Sequence, residues 1–295
     1  MNAPRRIKGS LPAIDKATEK ERILRGLMRE MRTVLVAYSG GVDSAYLALI
    51  ATQELGKNAV SVLGISPSLS ANQRSEAEST ASGFAFNLQT IETAETANPN
   101  YAANPTNRCY FCKSELFGKL SSLAATLGLA YVVDGTNADD LRDHRPGRIA
   151  AGENNVRSPL AESGFSKTEI RERSRVHGLS TWDKPASPCL SSRIAYGVPV
   201  TIERLDKVER AEDFLRAEGF REFRVRVHGE LARVEIAKGE MEKALNLEAA
   251  GKFAMTLRNI GFKYVTLDLE GFRSGAMNEA ARDLKNKNKE GQLEN

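Results

Sequence analysis

Thr33-Val34-Leu35-Val36-Ala37-Tyr38-Ser39-Gly40-Gly41-Val42-Asp43-Ser44 is the stretch that decides the fold. Six apolar or β-branched residues stop at two glycines, and a helical pattern over about residues 43–55 follows. A buried strand that ends in a glycine-rich loop and opens a helix is an anion site in outline. Backbone N–H groups and the positive end of the helix converge there. The glycines let the backbone come close to a pyrophosphate, Ser39 and Ser44 add hydroxyl donors, and Asp43 suits a Mg²⁺ that screens phosphate charge.

The loop is neither of the two common nucleotide signatures. No Gly-Lys-Ser/Thr follows, as a Walker A loop requires, and Gly-x-Gly-x-x-Gly is absent. An ordinary strand-to-helix turn with a polar cap is the competing explanation. At roughly 7% usage per residue, five fixed positions recur by chance about once in a thousand chains of this length, which favours a dedicated site. The pattern resembles the PP-loop signature, whose members cleave ATP between the α and β phosphates.

Outward from this loop, strands are expected at residues 59–65, 87–91 and 130–134, with helices near 16–31, 71–82 and 110–127. Such alternation implies an α/β fold with a parallel sheet. The Pro-, Ser- and Gly-rich run from Pro185 to Pro199 marks a boundary. Past it come a helix (202–218), strands (223–228 and 232–236), a helix (240–260) and a strand (264–269). We expect a PP-loop ATP-binding domain over residues 1–190, a smaller C-terminal α/β domain over 191–281, and a disordered tail over 282–295.

Composition bounds the partners. In 295 residues, 42 Lys+Arg against 38 Asp+Glu leave a net charge of +4. That is too weak a bias to argue for nucleic acid or an anionic membrane. No run approaches the roughly 18 apolar residues of a membrane span, and no apolar stretch follows Arg5, Arg6 and Lys8 as a signal peptide needs. A soluble protein is expected. Three cysteines, two of them in Cys109-Tyr110-Phe111-Cys112, fit metal or redox chemistry in the cytoplasm better than disulfides.

Cys109 and Cys112 share a helix face at i,i+3, and Cys189 stands alone in Pro188-Cys189-Leu190-Ser191-Ser192-Arg193. Three thiolates can hold a cubane iron–sulfur cluster by three irons and leave the fourth open. Buried apolar cysteines, a redox Cys-x-x-Cys pair, and zinc completed by His144 or His177 are the other readings. Lys113 could reach a phosphate from the same surface. The acidic turn Asp134-Gly135-Thr136-Asn137-Ala138-Asp139-Asp140 sits at a strand end, where ligands bind in open α/β sheets, although turn chemistry alone also selects Asp and Asn. Arg224 and Arg226 alternate with Phe223, Val225 and Val227, so both project from one strand face, where two guanidiniums suit a phosphate monoester or simply face solvent. Ser192 and Arg193 are candidates for the same job. Glu212 and Glu235 suit a cation site or a solvated face, and Trp182 packs.

Taken together the motifs resemble the LarE-type pyridinium-3,5-biscarboxylic acid mononucleotide sulfurtransferases, which help make a nickel-pincer cofactor. The likeness covers most of the chain. It runs through Ser39–Ser44, Asp134-Gly135, Arg145-Pro146-Gly147, Ser192-Arg193 with Tyr196-Gly197, Arg224-Val225-Arg226-Val227-His228, and the long stretch from Gly261-Phe262-Lys263-Tyr264 to Gly271-Phe272-Arg273-Ser274-Gly275. The resemblance implies that a carboxylate of a small mononucleotide attacks the α-phosphorus of ATP and that a sulfur nucleophile then displaces AMP. In one branch a cysteine surrenders its own sulfur; in another, three cysteines hold a 4Fe-4S cluster. Cys189 lies one residue off the sacrificial position, which would fall on Pro188.

The resemblance therefore implies Cys109, Cys112 and Cys189 as cluster ligands, with sulfide or another external compound as sulfur source. It also implies Ser192, Arg193, Arg224 and Arg226 around the substrate phosphate, Lys113 near the ATP phosphates, and a homo-oligomer such as a hexamer. A PP-loop tRNA thiolase is the runner-up, against which stand the missing zinc-ribbon cysteines and the lack of a strongly basic stripe. An amidotransferase or synthetase of the NAD or GMP type would leave the cysteines without a role. A nucleotide-binding regulatory protein without catalysis would have no use for an intact Ser39, Asp43 and Ser44.

Overall fold

The computed structural model describes residues 15–142 and 146–273, so the expected tail, His144, Arg145, Ser274 and Gly275 lie outside the described residues. The first unit runs α1 (Lys16–Met31), β1 (Val34–Tyr38), α2 (Val42–Leu55), β2 (Ala59–Ile65), α3 (Ala71–Gly83), β3 (Asn87–Glu92), the single turn α4 (Pro99–Ala102), α5 (Arg108–Leu127) and β4 (Tyr131–Val133). Its four strands are all parallel, in the order β3-β2-β1-β4. β1 is therefore central, and its run of Val, Leu and Tyr is what a strand covered on both faces requires. Val34 sits opposite Ala59 on one side and Tyr131 on the other. α2 is buried from Val42 to Ala51 apart from Asp43, so the helix that leaves the glycine loop runs through the core. A helix apolar on all sides belongs there.

The segment after β4 folds into three helices that the pattern of apolar residues did not reveal: α6 (Pro146–Glu153), α7 (Pro159–Glu162) and α8 (Lys167–Val176). α8 starts at a capping box in which the Ser166 hydroxyl accepts from the Glu169 amide and the Glu169 carboxylate accepts from the Ser166 amide. It packs on α1 and α2 through a buried polar knot. The Glu21 carboxylate accepts from Tyr46 Oη at 2.9 Å, Arg173 Nε at 2.7 Å and Arg25 Nη2 at 2.8 Å, and lies 3.0 Å from His177 Nε2.

Burial opposes ionisation of Glu21, but the hydrogen bonds from Arg173, His177, Arg25 and Tyr46 outweigh it and hold its pKa at about 2, against an ordinary 4.5. A depressed carboxyl stabilises the fold fully above its unfolded pKa and loses that contribution as pH falls through the folded one. At about 1.4 kcal/mol per unit, on the order of 3 kcal/mol is expected to disappear between pH 5 and pH 2. Urea titrations across that range should show Glu21→Gln less stable than wild type at pH 7 and less sensitive to acid. Equal acid sensitivity would remove Glu21 as the cause.

The second unit comprises α9 (Ile202–Ala217), β5 (Phe223–His228), β6 (Leu231–Ile236), α10 (Met241–Ala244), α11 (Leu247–Ile260) and β7 (Tyr264–Leu267). Its sheet has the order β5-β6-β7, with β5 antiparallel and β7 parallel to the central β6. The single helix expected over 240–260 is two, because Asn246 turns out of the helix and its side chain caps α11 by accepting from the Ala249 amide. α9 and α11 cover the sheet with Leu205, Val208, Leu215, Phe253 and Leu257. Tyr101, Phe111 and Cys112, which come from the first half of the chain, pack into this same cluster. No helix among the described residues is long and apolar enough to cross a membrane.

Candidate functional site

The glycine loop has the shape its sequence implies. Gly40 has φ +69°, and a Cβ there would lie 2.5 Å from the Ala77 Cβ of α3, so the position requires glycine on both counts. Gly41 is the cap residue of α2 and offers no side-chain bond to the helix amides. The Ser44 hydroxyl donates back to the Gly41 carbonyl at 3.1 Å, accepts from the Ser39 amide at 3.1 Å and lies 3.0 Å from the exposed Ser39 hydroxyl. The amides of a helix's first turn have no intrahelical partner, so they face the loop's open side.

The turn after β4 lies directly against this loop. A Cβ on Gly135 would approach the Ser44 amide nitrogen to 2.9 Å, so glycine allows the two backbones to touch. Most of the turn's polar groups maintain its own shape. Asp134 accepts from the Thr136 amide and hydroxyl and from Ser158, Asp139 accepts from the Lys167 amide, and Asn137 Oδ1 accepts from the amides of Asp139 and Asp140. Asn137 Nδ2 reaches Asp43 at 3.4 Å. Asp43, half-buried, is the carboxylate set at the loop itself. Lys167, the first residue of α8, donates to its Oδ2. Lys184 comes from the other side, where its Nζ lies 3.4 Å from the Gly40 carbonyl and 2.6 Å from Glu76. Two lysines thus flank the loop, and an ammonium is a compact partner for a phosphate oxygen. Lys113 has its Nζ 5.2 Å from the centre of the Phe117 ring and its stem beside Gly147, and its charge acts on Cys109 and Cys112.

β5 carries the arginines. Arg224 and Arg226 lie on one strand face, yet they are 8% and 5% exposed, which rules out a merely solvated strand face. Arg226 donates to Glu235 at 3.0 Å, and Arg193 makes a two-point bond to Glu212 at 2.8 and 3.0 Å. Glu212 and Glu235 are accordingly the buried partners of arginines, not a cation site. Arg224 has no carboxylate partner among the described residues. It donates to the carbonyls of Phe223 and Ala186 and lies 4.9 Å from the centre of the Phe272 ring. Burial first and the charge of Arg193 second pull its pKa down to about 10. A buried guanidinium without an anion is costly, and a phosphate would remove that cost.

All three arginines hold the segment around Cys189 by its carbonyls: Arg224 at Ala186, Arg193 at Pro188 and Cys189, and Arg226 at Ser192. Ser192 Oγ accepts from Arg193 at 2.9 Å. The opposite side of the segment is bonded to the first unit, where Gln73 of α3 donates to Ser187 and the Leu190 amide donates to the Ser68 carbonyl at 2.9 Å. Cys189 is therefore suspended between the glycine loop's neighbours and the arginine strand.

Cys109 and Cys112 open α5, and Cys189 precedes a 3₁₀ turn over Leu190–Arg193; all three are free thiols. Burial first and Cys189 second push Cys112 up to about 12, with the Glu95 carboxylate adding to the rise. Cys109 is raised as well, by desolvation and then Cys189, although it reaches solvent, while Arg108 acts in the opposite direction. A relay of hydroxyls lies behind them. Glu95 accepts from Ser66 at 2.6 Å and Ser68 at 2.9 Å, and the Tyr101 hydroxyl lies 2.8 Å from Ser68 and 2.6 Å from Ser191.

No three His, Cys, Asp or Glu side chains among the described residues gather closely enough to hold one metal ion. A single zinc needs its sulfurs about 2.3 Å from one point, and His177 is committed to Glu21, so zinc completed by that histidine does not fit. A cubane spreads its three thiolates over three different irons. Three free thiols from two segments are a donor set whose chemistry suits that arrangement.

Comparison with known proteins bears on this arrangement. Over 264 residues, 89% of this chain and 95% of the relative, it is 35% identical to the pyridinium-3,5-bisthiocarboxylic acid mononucleotide synthase of Lactiplantibacillus plantarum. The chain belongs to that synthase family. An uncharacterized Synechocystis protein is 49% identical over 255 residues, 86% of this chain and 95% of its own. A glutamine-hydrolyzing GMP synthase polypeptide of Thermoplasma volcanium is 26% identical over 197 residues, 61% of this chain and 62% of that relative. A scan of protein-family models finds no match.

Within the synthase family this chain is an enzyme with a PP-loop α/β fold. Its structure sets the Asp134–Asp140 turn against the glycine loop, and bonds the Cys189 segment to α3 on one side and to the arginines on the other. Sequence reasoning missed Lys167, Lys184 and Arg108. The Ser166-x-x-Glu169 box was a usable signal for Lys167, because it places that lysine at a helix start. Lys184 had no such signal.

Proposed function

We propose that the chain converts the carboxylates of a pyridinium dicarboxylate mononucleotide to thiocarboxylates at the expense of ATP. The observation that carries this reading is the segment from Ala186 to Ser192. Hydrogen bonds join it on one side to Gln73 and Ser68 of the PP-loop unit and on the other to Arg193, Arg224 and Arg226. ATP phosphates at the loop and a substrate phosphate at the arginines would place the reacting carboxylate beside the cysteines.

In the first step a carboxylate oxygen bonds to the α-phosphorus and the bond to pyrophosphate breaks. Ser39, Ser44 and the amides of Gly40, Gly41 and the first turn of α2 bind the departing phosphates, Asp43 would hold a Mg²⁺ able to screen their charge, and Lys167 and Lys184 offset charge as it moves to the leaving group. In the second step a sulfur nucleophile attacks the acyl carbon, the tetrahedral intermediate collapses, and AMP leaves. Cys109, Cys112 and Cys189 would hold a 4Fe-4S cluster, which when bound supplies an open iron able to carry sulfide, so the polypeptide survives turnover. Support for the homo-oligomer comes from apolar side chains that the second unit leaves in solvent, among them Leu247 at 93% and Met255 at 63% exposure.

Arg224 is the best-placed phosphate ligand, since among the described residues it alone of the three arginines has no hydrogen bond to a carboxylate. Arg224→Ala is expected to raise KM for the mononucleotide at least tenfold, the loss of a charge-assisted pair worth about 1.5–3 kcal/mol, and to leave KM for ATP within about twofold. A change confined to ATP would contradict the assignment.

The reaction is tested by supplying ATP, Mg²⁺, sulfide and the dicarboxylate mononucleotide without oxygen and following pyrophosphate and thiocarboxylate together. Release of one pyrophosphate per thiocarboxylate is expected. Iron and acid-labile sulfide are measured on the same sample and on Cys112→Ala. About four irons per chain, lost in the variant, are expected; an iron-free active enzyme with dehydroalanine at Cys189 would overturn the cluster route.

A further inference from the structure

Arg108 is the first residue of α5, immediately before Cys109, and is 4% exposed. A buried guanidinium ordinarily pairs with a carboxylate, because an uncompensated charge inside a protein is strongly destabilising. Among the described residues no carboxylate forms an ion pair with Arg108. Nη1 donates to the Asn104 side-chain carbonyl and to the Ser191 backbone carbonyl at 2.9 Å, and both acceptors are neutral. The guanidinium lies 5.9 Å from the centre of the Tyr196 ring, and its charge favours the ionised form of Cys109.

Its position is over-determined. Asn104 adopts a left-handed φ of +55°, and its Nδ2 donates to the carbonyls of Ile194, Ala195 and Val198, which aims Oδ1 at Arg108. A non-glycine residue is disfavoured in that conformation, and the four bonds of this one side chain offset the strain. The result is one fixed positive charge at the place where the Cys109/Cys112 helix meets the Cys189 segment.

We propose that Arg108 makes the junction of the Cys109/Cys112 helix and the Cys189 segment an anion site, whose ligand is a small sulfur anion: hydrosulfide, or sulfide carried on iron. The inference rests on the sulfur-transfer reading above and adds to it the group that retains the donor. Arg108 is a positioning residue that attracts the anion and leaves bond-making to the sulfur.

The local charge can be read without any cluster. Iodoacetate and iodoacetamide alkylate the same thiolate, so the ratio of their rates at Cys109 cancels the ionised fraction and reports the field felt by an anion. Rates are measured by mass spectrometry on iron-free full-length protein. A unit charge on the adjacent side chain favours the anionic reagent by about tenfold at an intermediate effective dielectric. Arg108→Met is expected to lower the ratio by about that factor, while Arg108→Lys stays within about twofold of wild type. Arg108→Gln is the second neutral variant should the methionine protein fail to fold, judged by circular dichroism. An unchanged ratio in the neutral variants, or an equal fall in Arg108→Lys, overturns the proposal.

Labile sulfide retained after gel filtration then identifies the anion, using sodium sulfide alone and sodium sulfide with ferrous iron. Retention only with iron assigns cluster sulfide, and retention without iron assigns hydrosulfide. In either case Arg108→Met should retain at least fivefold less than Arg108→Lys. If the wild type retains none under both conditions, the anion site is refuted. Pyrophosphate release by that same protein shows whether the adenylation half of the reading survives.

Discussion

Asp43→Asn is expected to lower pyrophosphate release by about a thousandfold, or on the order of 4 kcal/mol of transition-state stabilisation. Among the described residues Asp43 is the carboxylate built into the loop, between the Asn137 amide and the Lys167 ammonium. Asparagine preserves its size and one carbonyl acceptor and removes only the charge. A metal ion then loses its protein anchor, and Lys167 loses its counter-ion, at the point where negative charge accumulates on the leaving group. The measurement is AMP and pyrophosphate formation over a range of Mg²⁺ concentrations, with the urea midpoint as a control for folding. Activity within tenfold of wild type, with the same Mg²⁺ dependence, would take Asp43 out of the chemistry.

Cys189→Ser is the second large effect. Thiocarboxylate formation is expected to fall to background, about a thousandfold or more, while pyrophosphate release continues. The serine has nearly the same shape and keeps the carbonyls that Arg193 holds, so the scaffold is undisturbed. What disappears is sulfur at the place where the PP-loop unit and the arginine strand meet. Following both products in one reaction separates adenylation from sulfur delivery. Undiminished thiocarboxylate from the serine variant would show that Cys189 neither ligates nor donates.

Much of the architecture was legible because its signals are local. Residues 33–44 carry a strand, a loop and a helix start in twelve consecutive positions, and the alternation up to Val133 follows the expected pattern. The helices between Pro146 and Val176 were not legible from periodicity. They are short, and α8 buries only Ile170 and Ser174, so the usual apolar stripe is missing. The capping box at Ser166 was the cue that remained. For the site, one-face placement of Arg224 and Arg226 follows from strand geometry, but their burial does not. Nor could sequence assign Glu212 to Arg193 or Glu235 to Arg226, because these pairs form across elements after folding. Arg108 illustrates the same limit: one more basic residue beside a cysteine carries no information until its neutral partners, Asn104 and Ser191, can be seen.

Tyr101 precedes the sulfur helix in the chain, yet its ring is packed into the core of the second unit, and its hydroxyl lies within hydrogen-bonding distance of both Ser68 and Ser191. Val200 and Gly197 donate to the carbonyls of Ala102 and Asn104 nearby. A nick in the chain near residue 190 would leave two fragments that each lack part of their own interior. Their melting is therefore coupled: heat or denaturant should meet a single cooperative transition.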